Sequence, residues 1–407
     1  RWQPPGVQIC SADVYGGRSA MNNNGRVSNY KITLEVKGPV FIGSGQTISK
    51  KDSIWVPSEK KVYVLDMMKV FDGLKKAGLL KAYEDYLLDP RQKNFSDFIQ
   101  GNSTRLSVEK CKAWAAYSLT ARNIAESGTS RSRGGGSDDI LAFMKDPFGC
   151  PYIPGSSLKG ALRTMIQGAE IIGDRSRFRG LTRSIEGEEF KSRTRYLSSQ
   201  QDSISNTLFN KLGRNEKRPS DAVNDIFAGM RISDSAPLST NDLVLCQKID
   251  IDVDGEEHAL PIRRECLKPG TKIQFSMEID EGMFPYTDKS ILKCSDVFYD
   301  DYFDSFLGAF GEIDHEGNTS KHLLLLGGGS GYATKTTTYP LYDDKDAALR
   351  AVQRIMIETT STRSKRDPHK HINDENGHKV SPHMRKCTRI GGELYDFGLC
   401  EVQITSL

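Results

Sequence analysis

Histidine is scarce in this chain and arrives late: seven occur among 407 residues, and the first is His258. The N-terminal 257 residues therefore lack the one side chain whose ordinary pKa suits general acid–base work near neutral pH. Paired cysteines are also missing. The eight thiols are scattered with no Cys-x-x-Cys spacing, which argues against a zinc ribbon and a disulfide framework and for free thiols in a reducing, cytoplasmic compartment. No apolar run approaches the length of a membrane span, so no membrane partner is expected. A large net charge is absent as well: 56 Lys and Arg against 53 Asp and Glu leave a formal +3.

What charge there is lies segregated. Residues 158–220 hold 13 basic against 7 acidic residues, 250–314 hold 6 against 16, and 361–390 hold 8 against 3. Opposed patches of this kind suit a subunit that grips a polyanion on one face and a protein partner on another. The length predicts about two domains with a sizeable core. Residues 1–26, with Pro4-Pro5-Gly6, Gly16-Gly17 and Asn22-Asn23-Asn24-Gly25, have no periodicity. They read as a disordered leader or expression scar, with Met21 a plausible native start.

The most informative stretch is Pro154-Gly-Ser-Ser-Leu-Lys-Gly-Ala-Leu-Arg163. A Pro-Gly turn brings Ser156 and Ser157 to a helix start, where a hydroxyl can cap free N–H groups. Leu158, Leu162, Met165, Ile166 and Ala169 recur at helical spacing and predict a buried stripe. Lys159 and Arg163 fall one turn apart on the opposite face. Free amides, a positive dipole end and two cations together describe a phosphate site; the same pattern also describes an ordinary capped helix with a solvated basic face.

Two further glycine turns follow apolar strands. One is Val40-Phe41-Ile42-Gly43-Ser44-Gly45, the other Leu323–Leu326 running into Gly327-Gly328-Gly329-Ser330-Gly331, with Lys335 just beyond. Glycine lets a backbone approach a ligand closely. Neither turn is a nucleotide fingerprint: the second lacks the Gly-Lys of a P-loop, and Tyr332 stands where a dinucleotide motif needs its last Gly. A nucleotide-binding enzyme is thereby disfavoured.

Taken in order, Tyr30–Val36 with Ile42-Gly43-Ser44-Gly45, Tyr152–Gly160, Arg231-Ile232-Ser233-Asp234-Ser235, Leu326–Gly331, Ser381-Pro382 and Leu394–Cys400 resemble the RAMP superfamily of CRISPR-associated RNA-binding proteins. The spacing is similar to that of the fifth Csm subunit of type III-A effectors, which sits at the crRNA 3′ end. That resemblance covers roughly residues 28–404. It implies an α+β protein of tandem ferredoxin-like (RRM-like) domains and a non-catalytic role in holding crRNA. It further implies a part in crRNA maturation and antiviral defence, with the backbone RAMP subunit, the small helical subunit, nearby target RNA and host nucleases as partners.

Periodicity organises the chain accordingly. Tyr30–Val36 alternates as a strand, Asp52–Pro57 and Lys61–Leu65 read as a hairpin, and about 66–144 reads as a helical insertion in an N-terminal domain spanning 27–285. The C-terminal domain is placed at 286–407. Residues 172–225 are weakly periodic and are expected to form a partly ordered excursion. Ile291–Phe310 reads as a helix with an acidic, aromatic face (Asp296, Asp300 and Asp304 with Phe298, Tyr302 and Phe306), a candidate protein contact.

Binding is favoured over catalysis. RAMP endonucleases commonly use a histidine, and none lies near the glycine turns. The cluster His369, His371, His378 and His383 sits in a charged segment without Cys to fix metal geometry. Asp138 and Asp139, after the loop 127–139, resemble the metal-assisting aspartate of the backbone subunit and support the alternative reading, a RAMP endoribonuclease acting on crRNA or target RNA. No cofactor is called for. The expected RNA contacts are Gly43, Ser44, Gly45, Ser156, Ser157, Lys159, Arg163, Gly328, Gly329, Ser330, Gly331 and Lys335, with Arg122, Arg131 and Arg133 reaching in from the insertion. Phe41, Trp55 and Tyr332 are either stacking platforms or core.

Overall fold

A computed structural model describes residues 26–91, 94–121, 139–189, 196–311, 320–359 and 380–407. The first strand, β1 (Val27–Val36), alternates as expected and fully buries Ile32, Leu34 and Val36. Then come β2 (Gly43–Ile48) and the antiparallel hairpin β3 (Ser53–Val56) and β4 (Lys61–Leu65). Four short helices follow: α1 (Met67–Ala77), α2 (Leu80–Leu88), α3 (Phe95–Gly101) and α4 (Val108–Lys112). Their ends are set locally. Asp66, Asn94 and Ser107 cap α1, α3 and α4 through side-chain oxygens, and Gly78 closes α1 at φ +66°. They bury a core of their own around Leu74, Tyr83, Tyr86, Phe95 and Phe98. Among the described residues, the expected insertion is helical as far as Lys112 and then forms β5 (Ala115–Thr120) and β6 (Ile140–Phe143), which join a sheet.

The long helix α5 (Gly155–Gly173) leads to α6 (Arg179–Gly187) and α7 (Ser198–Leu208), then β7 (Met230–Ile232), β8 (Leu243–Ile251), β9 (Glu257–Leu267) and β10 (Lys272–Asp280). The chain continues through α8 (Asp288–Ser305), β11 (Leu323–Leu325), α9 (Lys345–Thr359), β12 (Arg385–Ile390), β13 (Glu393–Asp396) and β14 (Leu399–Ser406). The segment expected to be a loose excursion thus contains α6 and α7, which anchor it through the buried Phe178, Ile185, Ile204, Leu208 and Phe209.

One sheet has the order β11-β14-β1-β10-β7, antiparallel throughout. Within it, β14-β1-β10-β7 is the strand order of a ferredoxin-like unit, with α5 between β1 and β7 in sequence and α8 between β10 and β14. The two helices pack on each other where Gly168 of α5 meets the ring of Phe298; a Cβ there would stand 2.3 Å from a ring carbon. The second sheet differs. Its order is β2-β6-β9-β8-β5-β4-β3, with β12 added on β8, and it mixes antiparallel pairs with the parallel pairs β5–β8 and β6–β9. The cut expected at residue 285 therefore runs through both sheets instead of between them. β14 pairs with β11 on one side and completes the sheet of β1 on the other, and β12 pairs with β13 and extends the sheet of β8, so each joins C-terminal residues to a strand from earlier in the chain. Among the described residues, no helix is long and apolar enough to cross a membrane.

Candidate nucleic-acid interface

The three glycine motifs, far apart in sequence, meet in space. Gly43, Ser157, Gly160, Gly327, Gly328 and Lys335 line one open cleft of about 410 Å³, floored by Phe41, Met165, Phe298 and Leu324. The two turns hold each other directly. The Gly328 N–H donates to the Phe41 carbonyl at 2.7 Å, and a Cβ on Gly327 (φ +85°) would stand 2.4 Å from that same oxygen. Only glycine permits this approach.

A second cleft of about 490 Å³ adjoins the first, sharing Thr164 and Lys335. Its walls are rich in neutral donors and acceptors: Gln167, Gln200 and Gln201 from α5 and α7, and Tyr332, Thr336, Thr337 and Thr338 after the glycine turn. They are cross-tied, Gln167 Nε2 to Thr337 at 3.1 Å and Thr336 Oγ1 to the Tyr332 hydroxyl at 3.0 Å. Lys335 stands between the clefts. Its ammonium has no acidic partner among the described residues, and desolvation by the surrounding protein lowers its pKa.

Several expected contacts are employed elsewhere. Ser156 and Ser157 do not cap α5: Pro154 is its N-cap, and the Gly155 N–H donates to Asp234 Oδ1 at 2.9 Å. A carboxylate thus already answers the positive dipole end, so the phosphate site expected there is taken. The same strand end supplies Ser235, whose Oγ accepts from the Ile153 N–H at 3.0 Å. Lys159 is half-buried and donates to the Met230 carbonyl at 2.7 Å, with its pKa lowered first by desolvation. Arg163 pairs with Asp225 at 2.7 Å and lies over the rings of Phe209 (4.4 Å) and Phe227 (4.8 Å). Both cations brace α5 against the chain that follows it. Ser44 donates to the Ala142 carbonyl at 3.2 Å, and buried Ser330 accepts from Thr334 at 2.8 Å. Gly45 (φ +81°), Gly329 (φ +93°) and Gly331 (φ +94°) hold left-handed turns, with Gly331 at the second cleft. Arg122, Arg131, Arg133 and Asp138 lie outside the described residues, as do His369, His371 and His378.

Phe41 and Tyr332 line the clefts, whereas Trp55 packs against the core. Sequence reasoning missed Thr164, Gln167, Gln200, Gln201 and the Thr336–Thr338 run; only the last carried a signal, three hydroxyls directly after the glycine turn and its lysine. The acidic, aromatic face expected on α8 is two faces. Phe298, Tyr302 and Phe306 point into the core, while Asp300 and Asp304 are exposed and Asp296 pairs with His322 at 3.1 Å. Asp252, Glu256 and His258 bring ligand atoms within 4.8 Å of one another at the β8–β9 turn, but none lines either cleft.

A model of the RAMP superfamily matches residues 33–330. The CRISPR system Cms protein Csm5 of Mycobacterium tuberculosis is 28% identical over 398 residues, covering 92% of this chain and 97% of that protein. The Csm5 protein of Streptococcus thermophilus is 27% identical over 331 residues, covering 79% and 82%. Among solved structures, a chain of the cryo-EM Csm–crRNA–target RNA ternary complex of a type III-A CRISPR-Cas system matches at TM-score 0.56 and 18% identity, covering 92% of this chain and 100% of that one. The crystal structure of T. onnurineus Csm5 matches at TM-score 0.52 and 19% identity, covering 91% and 99%.

Proposed function

This chain belongs to the RAMP superfamily, and from that membership we propose that it is a non-catalytic crRNA-binding subunit of a type III-A CRISPR complex, closing the crRNA 3′ end. Its neighbours on this reading are the backbone RAMP subunit, the small helical subunit and target RNA, with host nucleases recruited for guide maturation. The likeness to Csm5 proteins over most of the chain supports the placement. One observation carries the binding role: two contiguous clefts meet at Lys335, which has no acidic partner among the described residues, and none of the described lining residues bears a carboxylate or an imidazole. Such walls can hold a phosphate chain through amides, hydroxyls and one cation. Sequence-tolerant gripping suits a guide whose spacer varies.

Incubating the purified chain with labelled crRNA, with and without divalent metal, tests the reading. Retention of intact RNA is expected. Metal-dependent products that vanish in Asp138→Ala or Asp139→Ala would establish the endoribonuclease reading instead.

A further inference from the structure

Behind the glycine turn lies a group of cations that the two clefts do not use. Arg264 on β9 sits opposite Cys246 of β8, and its guanidinium lies 5.5 Å from the ring centroids of both Phe41 and Phe397. Its Nε and Nη1 are buried without a hydrogen-bond partner among the described residues. Two lysines stand nearby, Lys248 on β8 and Lys386 on β12, and both pair with the single carboxylate of Asp250, at 3.0 and 2.7 Å. Three cations thus share one anion. The surplus is felt: desolvation lowers the pKa of Lys248 and of Arg264, and the charges of Lys386 and Arg264 push Lys248 further down.

The position is as informative as the charge. A Cβ on Gly329 would stand 3.6 Å from the guanidinium carbon of Arg264, and one on Gly331 would stand 3.0 Å from Cγ of Lys386. Phe41, which lines the first cleft, carries Arg264 on its ring. The cations therefore lie directly against the turn that joins the two clefts.

Half-burying an arginine, with Nε and Nη1 shut from solvent and making no hydrogen bond among the described residues, beside two lysines costs stability. An apolar side chain of the same volume, held between Phe41 and Phe397, would serve the fold better. Such an arrangement is accounted for by an anion that completes it. A guanidinium donates charge-assisted hydrogen bonds to phosphate oxygens, and a positive-φ glycine turn removes side chains from the path of an approaching phosphate.

We propose that Arg264, with Lys248 and Lys386, forms an anion site that takes one backbone phosphate of single-stranded RNA where the strand crosses the Gly329–Gly331 turn. This rests on the RNA-binding reading above for the identity of its ligand, though not for the anion site itself.

The test uses the full-length chain and Arg264→Met. The variant should unfold at the same or a higher temperature, because an uncompensated cation is replaced by an apolar side chain. Its RNA affinity should fall about tenfold, as for one charge-assisted contact. The slope of log affinity against log salt should become shallower by about 0.7, equally for unrelated RNA sequences. Inorganic phosphate should raise the melting temperature of the parent chain more than that of Arg264→Met. If Arg264→Met does not fold, Lys386→Gln provides the same two readouts. An unchanged salt slope together with equal phosphate protection of parent and variant overturns the site while leaving the RNA-binding reading standing. Phosphate protection that is lost in the variant, in a parent chain that binds no RNA, supports the anion site and overturns the RNA reading.

Discussion

Three glycines with nearly equal backbone angles allow the close approach of the two turns to be measured apart from conformational strain. Gly45, Gly327 and Gly329 have φ of +81°, +85° and +93°, so alanine at each meets a similar left-handed penalty of about 1–2 kcal/mol. Their surroundings differ. A Cβ on Gly45 meets nothing within 4 Å, one on Gly329 meets only atoms at 3.4 Å and beyond, and one on Gly327 collides with the Phe41 carbonyl oxygen at 2.4 Å. That collision has to push the strands apart and break the Gly328–Phe41 hydrogen bond, adding about 0.5–1.5 kcal/mol for the bond and about 1–3 kcal/mol for overpacking. Gly45→Ala and Gly329→Ala should therefore lose similar stability in urea unfolding, and Gly327→Ala about 2–4 kcal/mol more. Because the first cleft is built on this contact, Gly327→Ala should also lose RNA affinity when read on folded protein at low temperature. Equal losses for all three alanine variants would show that the turns do not bear on each other.

Lys335→Ala should leave the unfolding midpoint unchanged and shallow the RNA salt slope by about 0.7, whereas Arg163→Ala should lose about 1–2 kcal/mol of stability in chemical denaturation and leave the slope alone. Asp396→Ala strands the buried guanidinium of Arg385, which it holds through both carboxylate oxygens, and should cost about 3–5 kcal/mol by the same measurement. Asp301 is pushed up to about 6 by burial, against the pull of Arg175. The unfolded chain releases that proton near pH 4 and the folded chain near 6, so ionisation removes about 3 kcal/mol of stability as pH rises through this window. Asp301→Asn should flatten that part of the stability–pH curve, and an unaltered curve would refute the assignment.

The elements that local pattern controls were readable in advance. Leu158, Leu162, Met165, Ile166 and Ala169 form the buried stripe of α5 that their spacing indicates, and the β3–β4 hairpin falls where periodicity puts it. The glycine turns were recognisable as places of close approach. What they approach was not, since Phe41 and Gly328 become neighbours only through the pairing of distant strands. The same limit explains the misreading of Lys159 and Arg163. Helical spacing puts them on the polar face, but their partners lie far downstream, Asp225 at the end of the segment that sequence alone left loose and Met230 at the start of β7 just beyond it. Arg264 was invisible for another reason: β9 carries Arg263-Arg264-Glu265 in a row, and that run hides the alternation by which a half-buried cation would be noticed.

The interleaving of the ferredoxin-like unit has a consequence for how the protein is made. β1 is complete once residue 36 has been added, but its two neighbours, β10 and β14, are at 272–280 and 399–406. At about 5–20 residues per second, the ribosome takes roughly 20–70 s to supply the second of them. Throughout that time an apolar strand stands with one or both edges open, the condition in which chains pair wrongly with each other. The α1–α4 cluster, whose own core is completed by the β3–β4 hairpin that precedes it, can form meanwhile. Newborn chains should thus pass through a stage in which a small helical module is folded while β1 waits, and they should depend at that stage on holdase chaperones more than a protein with the same core and local strand pairing.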